Sequence, residues 1–273
     1  MDDKLISTID KITKLTQQNT EFDMELRKRL NEASANFVLS SEERIKQIYE
    51  YCIEKIIRQQ AIEFYADFPL QSVKSILIGD FIRMESFRRK DNFGDFCLSL
   101  YQQIECMTNK LCEEGSDLSY ITEKMWDCPA YLSKEKSSID DRYDKGNTIA
   151  NLLFYPNVSE KSSKSLHEQY AIDKINTIVY FLGYKAMLKF SDNASFREIK
   201  SLLNSIYQCR NMNHRGSSQS EWQKEMTDKI IQLKSLYYLK FLGVLAQYVE
   251  YIKEGYTYIP KIYEFCKTIS LKK

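Results

Sequence analysis

An all-α fold is predicted by three features of this sequence. Apolar residues recur at three- and four-residue intervals through most of the chain, the period that puts them on one face of a helix. Glycine and proline are scarce, 8 and 4 in 273 residues, so little interrupts long helices. Hairpin turn signals are nearly absent. The expected architecture is a helical bundle with an N-terminal helical extension and a mid-chain insertion.

The elements follow in order. Leu5, Ile9, Ile12 and Leu15 mark a first amphipathic helix, and Thr20 is the expected cap of a second that carries Phe22, Leu26, Leu30 and Ala33 on one side. The two read as a helical hairpin. Ser40-Ser-Glu-Glu43 has the form of a capping box, opening a long helix through Ile45, Ile48, Cys52, Ile56 and Ile57 toward Phe68. Pro69 then opens a helix through Val73, Leu77, Phe81 and Met84 that ends in Arg88-Arg-Lys90. This divides the chain into an N-terminal helical region, 1–68, and a bundle region, 69–273.

Asp91 stands where it can cap the clearest helix in the chain, which carries Phe93, Phe96, Cys97, Leu100, Ile104, Met107 and Leu111 and is closed by Gly115. A short helix is expected from Ser116 to about Trp126. Around 130–166 the apolar period fails and serine, lysine and aspartate dominate, so a loop-rich insertion is expected, with Leu152-Leu-Phe-Tyr155 as its anchor. Periodicity returns at Tyr170 and runs through Ile175, Ile178, Leu182 and Leu188. Ser195 and Glu198 have capping-box spacing before a helix whose Ile199, Leu202, Leu203 and Ile206 lead into Arg210. A single long helix is expected from Trp222 through Leu233 and Leu236 to Tyr248.

Composition narrows the function. With 39 basic and 38 acidic residues the net charge is +1, which argues against coating duplex DNA by bulk charge. The 7 cysteines are odd in number and form no C-x-x-C pair, so they read as reduced, buried small hydrophobes. The two histidines, His167 and His214, lack ligand-spaced companions, and no glycine-rich phosphate loop or nucleophile elbow occurs; no metal and no cofactor are expected. No run of 18 apolar residues is present, and Met-Asp-Asp-Lys-Leu opens without a signal-type apolar core, so a cytoplasmic protein without membrane association is expected.

The most informative segment is Tyr207-Gln-Cys-Arg-Asn-Met-Asn-His-Arg-Gly216. Arg210 and His214 stand one helical turn apart, with Asn211 between them and Arg215 just after. Beside a phosphodiester the pair is meaningful: the guanidinium fork holds phosphate oxygens, and the imidazole moves a proton near neutral pH. The same spacing also suits two side chains that face water and complement the last carbonyls of a helix. On the clearest helix, Glu105 and Asn109 share a face at the border of the apolar stripe, where they fit either a cleft or a solvent-facing boundary. Arg83, Arg88, Arg89 and Lys90 can contact an RNA backbone or simply complement a helix dipole.

In these features the chain resembles the HEPN superfamily of small helical bundles, which includes RNA-cleaving toxins, abortive-infection proteins and CRISPR-associated ribonucleases. The likeness spans roughly 70–255 and rests on Arg210-Asn211 followed by His214, on Glu105 and Asn109 in an earlier helix, and on the long apolar helix after the motif. Only Asn211, Met212 and Asn213 separate Arg210 from His214, fewer residues than is usual in that family. The resemblance implies metal-independent endonucleolytic cleavage of single-stranded RNA by a toxin or antiviral defence effector. His214 would be the general acid or base and Arg210 the phosphate ligand, while Asn211, Glu105, Asn109, Arg215 and Arg88 would support or bind substrate. A homodimer is implied, because one motif supplies half a composite site, and so is a protein partner of a defence or toxin–antitoxin system. The alternatives are a catalytically inactive HEPN-like interaction or RNA-binding subunit, and a nucleotide-binding helper of a nucleotidyltransferase.

Overall fold

The computed structural model describes residues 3–35, 41–126, 165–179, 181–182, 193–211 and 220–270. It is all-α, with no strand among the described residues. No described helix is long and apolar enough to cross a membrane. The chain divides into two compact units, Met1–Glu63 and Phe64–Lys273.

The first unit is built from α1 (Asp3–Gln18), α2 (Thr20–Ala35) and most of α3 (Ser41–Phe64). Asn19, not Thr20, caps α2: its Oδ1 accepts from the backbone N–H of Phe22 at 3.0 Å. Thr20 is already the first helical residue. The three helices close on Phe22, Leu26, Tyr51 and Cys52, with Ile12, Leu15 and Ile48 packed against them. The rings of Phe22 and Tyr51 stack at 6.3 Å, and the Arg29 guanidinium lies 4.4 Å from the Tyr51 ring centre. Ser40 of the expected capping box lies outside the described residues.

In the second unit the ring of Phe64 packs on Tyr65 and Phe81, and Tyr65 on Phe68, so these aromatics belong to the bundle that follows. Its central member is α5 (Phe93–Leu111), with α4 (Gln71–Arg89), α7 (Ala171–Ile178), α8 (Asn193–Asn211) and α10 (Lys234–Gly255) packed around it. Phe96, Leu100, Ile104 and Met107 of α5 are fully buried, as the apolar period requires. Beneath it, Phe93 and Phe96 meet Tyr238 of α10 edge-on at 5.1 and 4.8 Å. Thr108 and Tyr248 join α5 to α10 by a buried hydroxyl pair at 2.7 Å.

Several boundaries differ from expectation for identifiable reasons. Asn92 caps α5, accepting from the Asp95 N–H at 3.2 Å. Asp91 instead takes a left-handed backbone, φ 55°, a conformation that aspartate tolerates better than most residues, and its carboxylate accepts from Lys234 and from the Tyr238 hydroxyl. Gly115, φ 72°, lies in the turn between α5 and α6 (Asp117–Trp126), while α5 itself stops at Leu111. Helix α8 begins at Asn193, so Ser195 is inside it and is not its cap.

The long helix expected over 222–248 is two, α9 (Glu221–Gln232) and α10, broken at Leu233 with φ −111° and ψ 26°. The ties of Lys234 and Tyr238 to Asp91 fix where α10 begins. Trp222, Leu233 and Leu236 consequently face solvent, although they keep the apolar period. A last helix, α11 (Ile259–Ser270), has Pro260 in its first turn, where a missing N–H is harmless. The core of the insertion, including Leu152–Tyr155, and residues 183–192 lie outside the described residues.

Candidate functional site

Helices α5 and α8 meet along a seam of tyrosine and cysteine. Cys97 and Cys209 are fully buried, and the rings of Tyr101 and Tyr207 lie 5.7 Å apart at 55°. At this seam, on the last turn of α8, sits Arg210, one residue after the buried Cys209 and three after Tyr207. Its guanidinium carbon is 4.8 Å from the Tyr101 ring centre and 5.9 Å from that of Tyr207, so two aromatic surfaces hold the planar fork. A cation over a ring contributes about 0.5–2 kcal/mol, depending on how dry the contact is.

The polar ends of this cluster are incompletely matched. Arg210 Nη1 donates to Asn211 Oδ1 at 3.1 Å. Arg210 Nε and the Tyr101 hydroxyl are buried and have no hydrogen-bond partner among the described residues. Among the described residues no carboxylate pairs with Arg210. Leaving a buried donor unmatched costs roughly 1–3 kcal/mol, so the local packing holds Arg210 against a penalty that an acceptor would relieve. Burial pushes the Tyr101 hydroxyl well above the ordinary tyrosine range; the Glu105 charge adds to that shift and the Arg210 charge opposes it. Tyr101 is a neutral donor throughout the physiological range.

The other expected site residues separate into three groups. Glu105 stands one turn beyond Tyr101 on α5, half-buried and close enough for its charge to act on the Tyr101 hydroxyl. Asn109, a further turn along, is exposed and accepts from Lys174 Nζ of α7 at 3.2 Å; no contact joins it to Arg210. Arg88, at the end of α4, is taken up by the buried Glu85, with Nε–Oε1 at 3.0 Å and Nη2–Oε2 at 2.7 Å. His214 and Arg215 lie outside the described residues.

Tyr101, Tyr207 and Lys174 are the neighbours that sequence reasoning had not singled out. Tyr207 had a local signal, since it stands three residues before Arg210 on a helix and so shares its face. Tyr101 had none, because its approach to Arg210 depends on how two helices dock. Nearby on α7, burial lifts the Asp173 carboxyl to about 6, against the pull of Lys200. No group of three metal-ligating side chains occurs among the described residues.

No protein-family model, curated protein or solved structure matches this chain.

Proposed function

We propose that this protein is a HEPN-type endoribonuclease that cleaves single-stranded RNA without a metal. The observation that carries the reading is Arg210: a guanidinium lying against the rings of two tyrosines, with no carboxylate partner among the described residues, at the end of the helix that leads to His214. An arginine kept only for stability would be expected to pair as Arg88 does with Glu85. One prepared for a phosphate keeps its fork open.

In the proposed reaction the ribose 2′-oxygen attacks the adjacent phosphorus and the bond from phosphorus to the 5′-oxygen breaks. The 2′-hydroxyl gives its proton to a base and the departing 5′-oxygen receives one from an acid, leaving a 2′,3′-cyclic phosphate and a 5′-hydroxyl. His214 serves the proton transfers, and Arg210 balances the charge that grows on the phosphoryl oxygens. Asn211 holds one edge of the guanidinium. With a single motif per chain, the reading includes a homodimer that brings two motifs to one substrate, and a cytoplasmic role in defence or in a toxin–antitoxin pair.

The test is to incubate purified protein with single-stranded RNA in EDTA and analyse the ends. Cyclic phosphate products that disappear with His214→Ala support the reading. The short interval from Arg210 to His214 favours the second reading, an inactive HEPN-like RNA-binding subunit. Binding without cutting, across several substrates, selects it.

A further inference from the structure

We infer that the open strip of α5, between α4 on one side and α7 and α8 on the other, is the path along which single-stranded RNA enters and leaves the Arg210 site. The inference rests on the ribonuclease reading and extends it to how substrate is held.

The strip is a consequence of packing. Most of α5 is buried, but Leu98, Gln102, Glu105 and Asn109 remain half-buried or exposed. Their spacing of four, three and four residues puts them on one line along the helix. The side bearing Gln103 is closed by α4 and the residues before it: the Gln103 amide donates to Met84 Sδ of α4 at 3.4 Å and accepts from the Tyr65 hydroxyl at 2.8 Å. The side bearing Tyr101 is closed by Tyr207 of α8. With α10 beneath, the band of α5 that the described helices leave partly exposed is one helix wide, roughly 10 Å, which suits a single strand.

Cations stand on both banks at matching heights. Arg83 of α4 donates to Gln102 Oε1 at 3.4 Å, opposite Arg210, which lies over the neighbouring Tyr101. Arg83 is shared with Asp80, so it offers less charge than Arg210 does. Two turns on, Lys174 of α7 meets Asn109. From Tyr101 to Asn109 the helix rises about 12 Å, so Arg210 and Lys174 are spaced to meet different phosphates of one strand. The ring of Tyr207, in contact with Tyr101 and Arg210, is only half-buried, and we take its exposed part as the surface on which a base stacks. This pairing of a phosphate ligand with an adjacent aromatic face is what distinguishes a nucleic acid strand from an acidic peptide.

A fluorescent 2′-O-methyl RNA 12-mer provides the test, because its blocked 2′-oxygen cannot attack and binding is separated from cutting. Anisotropy titrations over a range of salt give affinity and salt slope. Lys174→Gln is expected to reduce the slope of log affinity against log salt by about 0.7, the loss of one neutralised phosphate on a single strand. Tyr207→Leu is expected to weaken binding about fivefold or more with the slope unchanged, while Tyr207→Phe retains affinity. Lys261→Gln, at an exposed position of α11, serves as the control and leaves both quantities unchanged. Thermal melts confirm that each variant folds. Wild-type binding that neither Lys174→Gln nor Tyr207→Leu alters overturns the path and leaves the catalytic reading standing. Wild-type protein that does not bind the 12-mer overturns the path whatever the cleavage result, and absence of cutting as well removes the ribonuclease reading with it.

Discussion

Arg88 and Arg210 each lie in the last turn of a 19-residue helix, α4 and α8, where a basic side chain is favoured by the helix dipole. Their surroundings make them different groups. Arg88 grips the buried carboxylate of Glu85 through two nitrogens, and that pairing raises its already high proton affinity. Arg210 rests on the faces of Tyr101 and Tyr207 and keeps a buried nitrogen without an acceptor among the described residues. The first arginine neutralises a charge that the fold has buried. The second is oriented by surfaces that, apart from the bond to Asn211, leave much of its hydrogen-bonding capacity unspent, and the contrast separates a structural cation from one available to a ligand.

The sharpest way to break this contrast is at Arg210. Arg210→Lys keeps the charge and loses the planar fork, so cleavage is expected to fall by roughly a hundredfold or more, the scale of losing one transition-state donor, with the melting temperature nearly unchanged. A product assay beside a thermal melt checks it. If Arg210→Lys unfolds the protein, Arg210 is a structural group like Arg88.

Next in size is the surface that holds Arg210. Tyr101 is almost fully buried, so Tyr101→Ala is expected to cost about 3–5 kcal/mol in denaturant unfolding. Tyr101→Phe removes only a hydroxyl that has no partner among the described residues and is expected to change stability by less than about 1 kcal/mol. A large loss in Tyr101→Phe would mean that the hydroxyl has an acceptor.

The converse experiment is Arg88→Ala, which strands the charge of Glu85. A loss of about 1–3 kcal/mol is expected, less than for a fully buried pair because about a third of the Arg88 side chain meets solvent. RNA binding and cleavage should be unchanged at a temperature where the variant is folded. A selective loss of binding would place Arg88 with Arg210 among the substrate ligands.

The smallest expected effect concerns Asp173, whose carboxyl is raised by burial to about 6 from an ordinary 3.8. Between those values the folded protein holds a proton that the unfolded chain releases, so stability is greatest at the acid end and declines as pH rises through about 6. Asp173→Asn should flatten that decline and add on the order of 1–2 kcal/mol at neutral pH, after allowance for partial solvent contact. Urea melts at pH 4.5 and 7.5 give the comparison, and an unchanged pH slope in the variant would assign it to another group.

Read alone, the chain determined its helical class, the placement of most helices and the identity of Arg210 as an unusual residue. These are local properties: a 3.6-residue apolar period, scarce helix breakers and short-range spacing report on how neighbouring side chains share a face. Local spacing also put Glu105 and Asn109 on one face of α5. It did not determine that Arg88 would be neutralised, because Glu85 and Arg88 read equally well as an exposed pair until burial of the carboxylate is known. It extended one helix across Leu233, since the apolar period continues unbroken there while the tether of Lys234 and Tyr238 to Asp91 connects residues distant along the chain. Only the docking of α7 and α8 against α5 decided that Tyr101 would hold Arg210, that Asn109 would instead meet Lys174, and that one strip of α5 would stay partly exposed. Those outcomes depend on which ridges of two helices interlock, a choice made by the whole core and written in no single stretch of sequence.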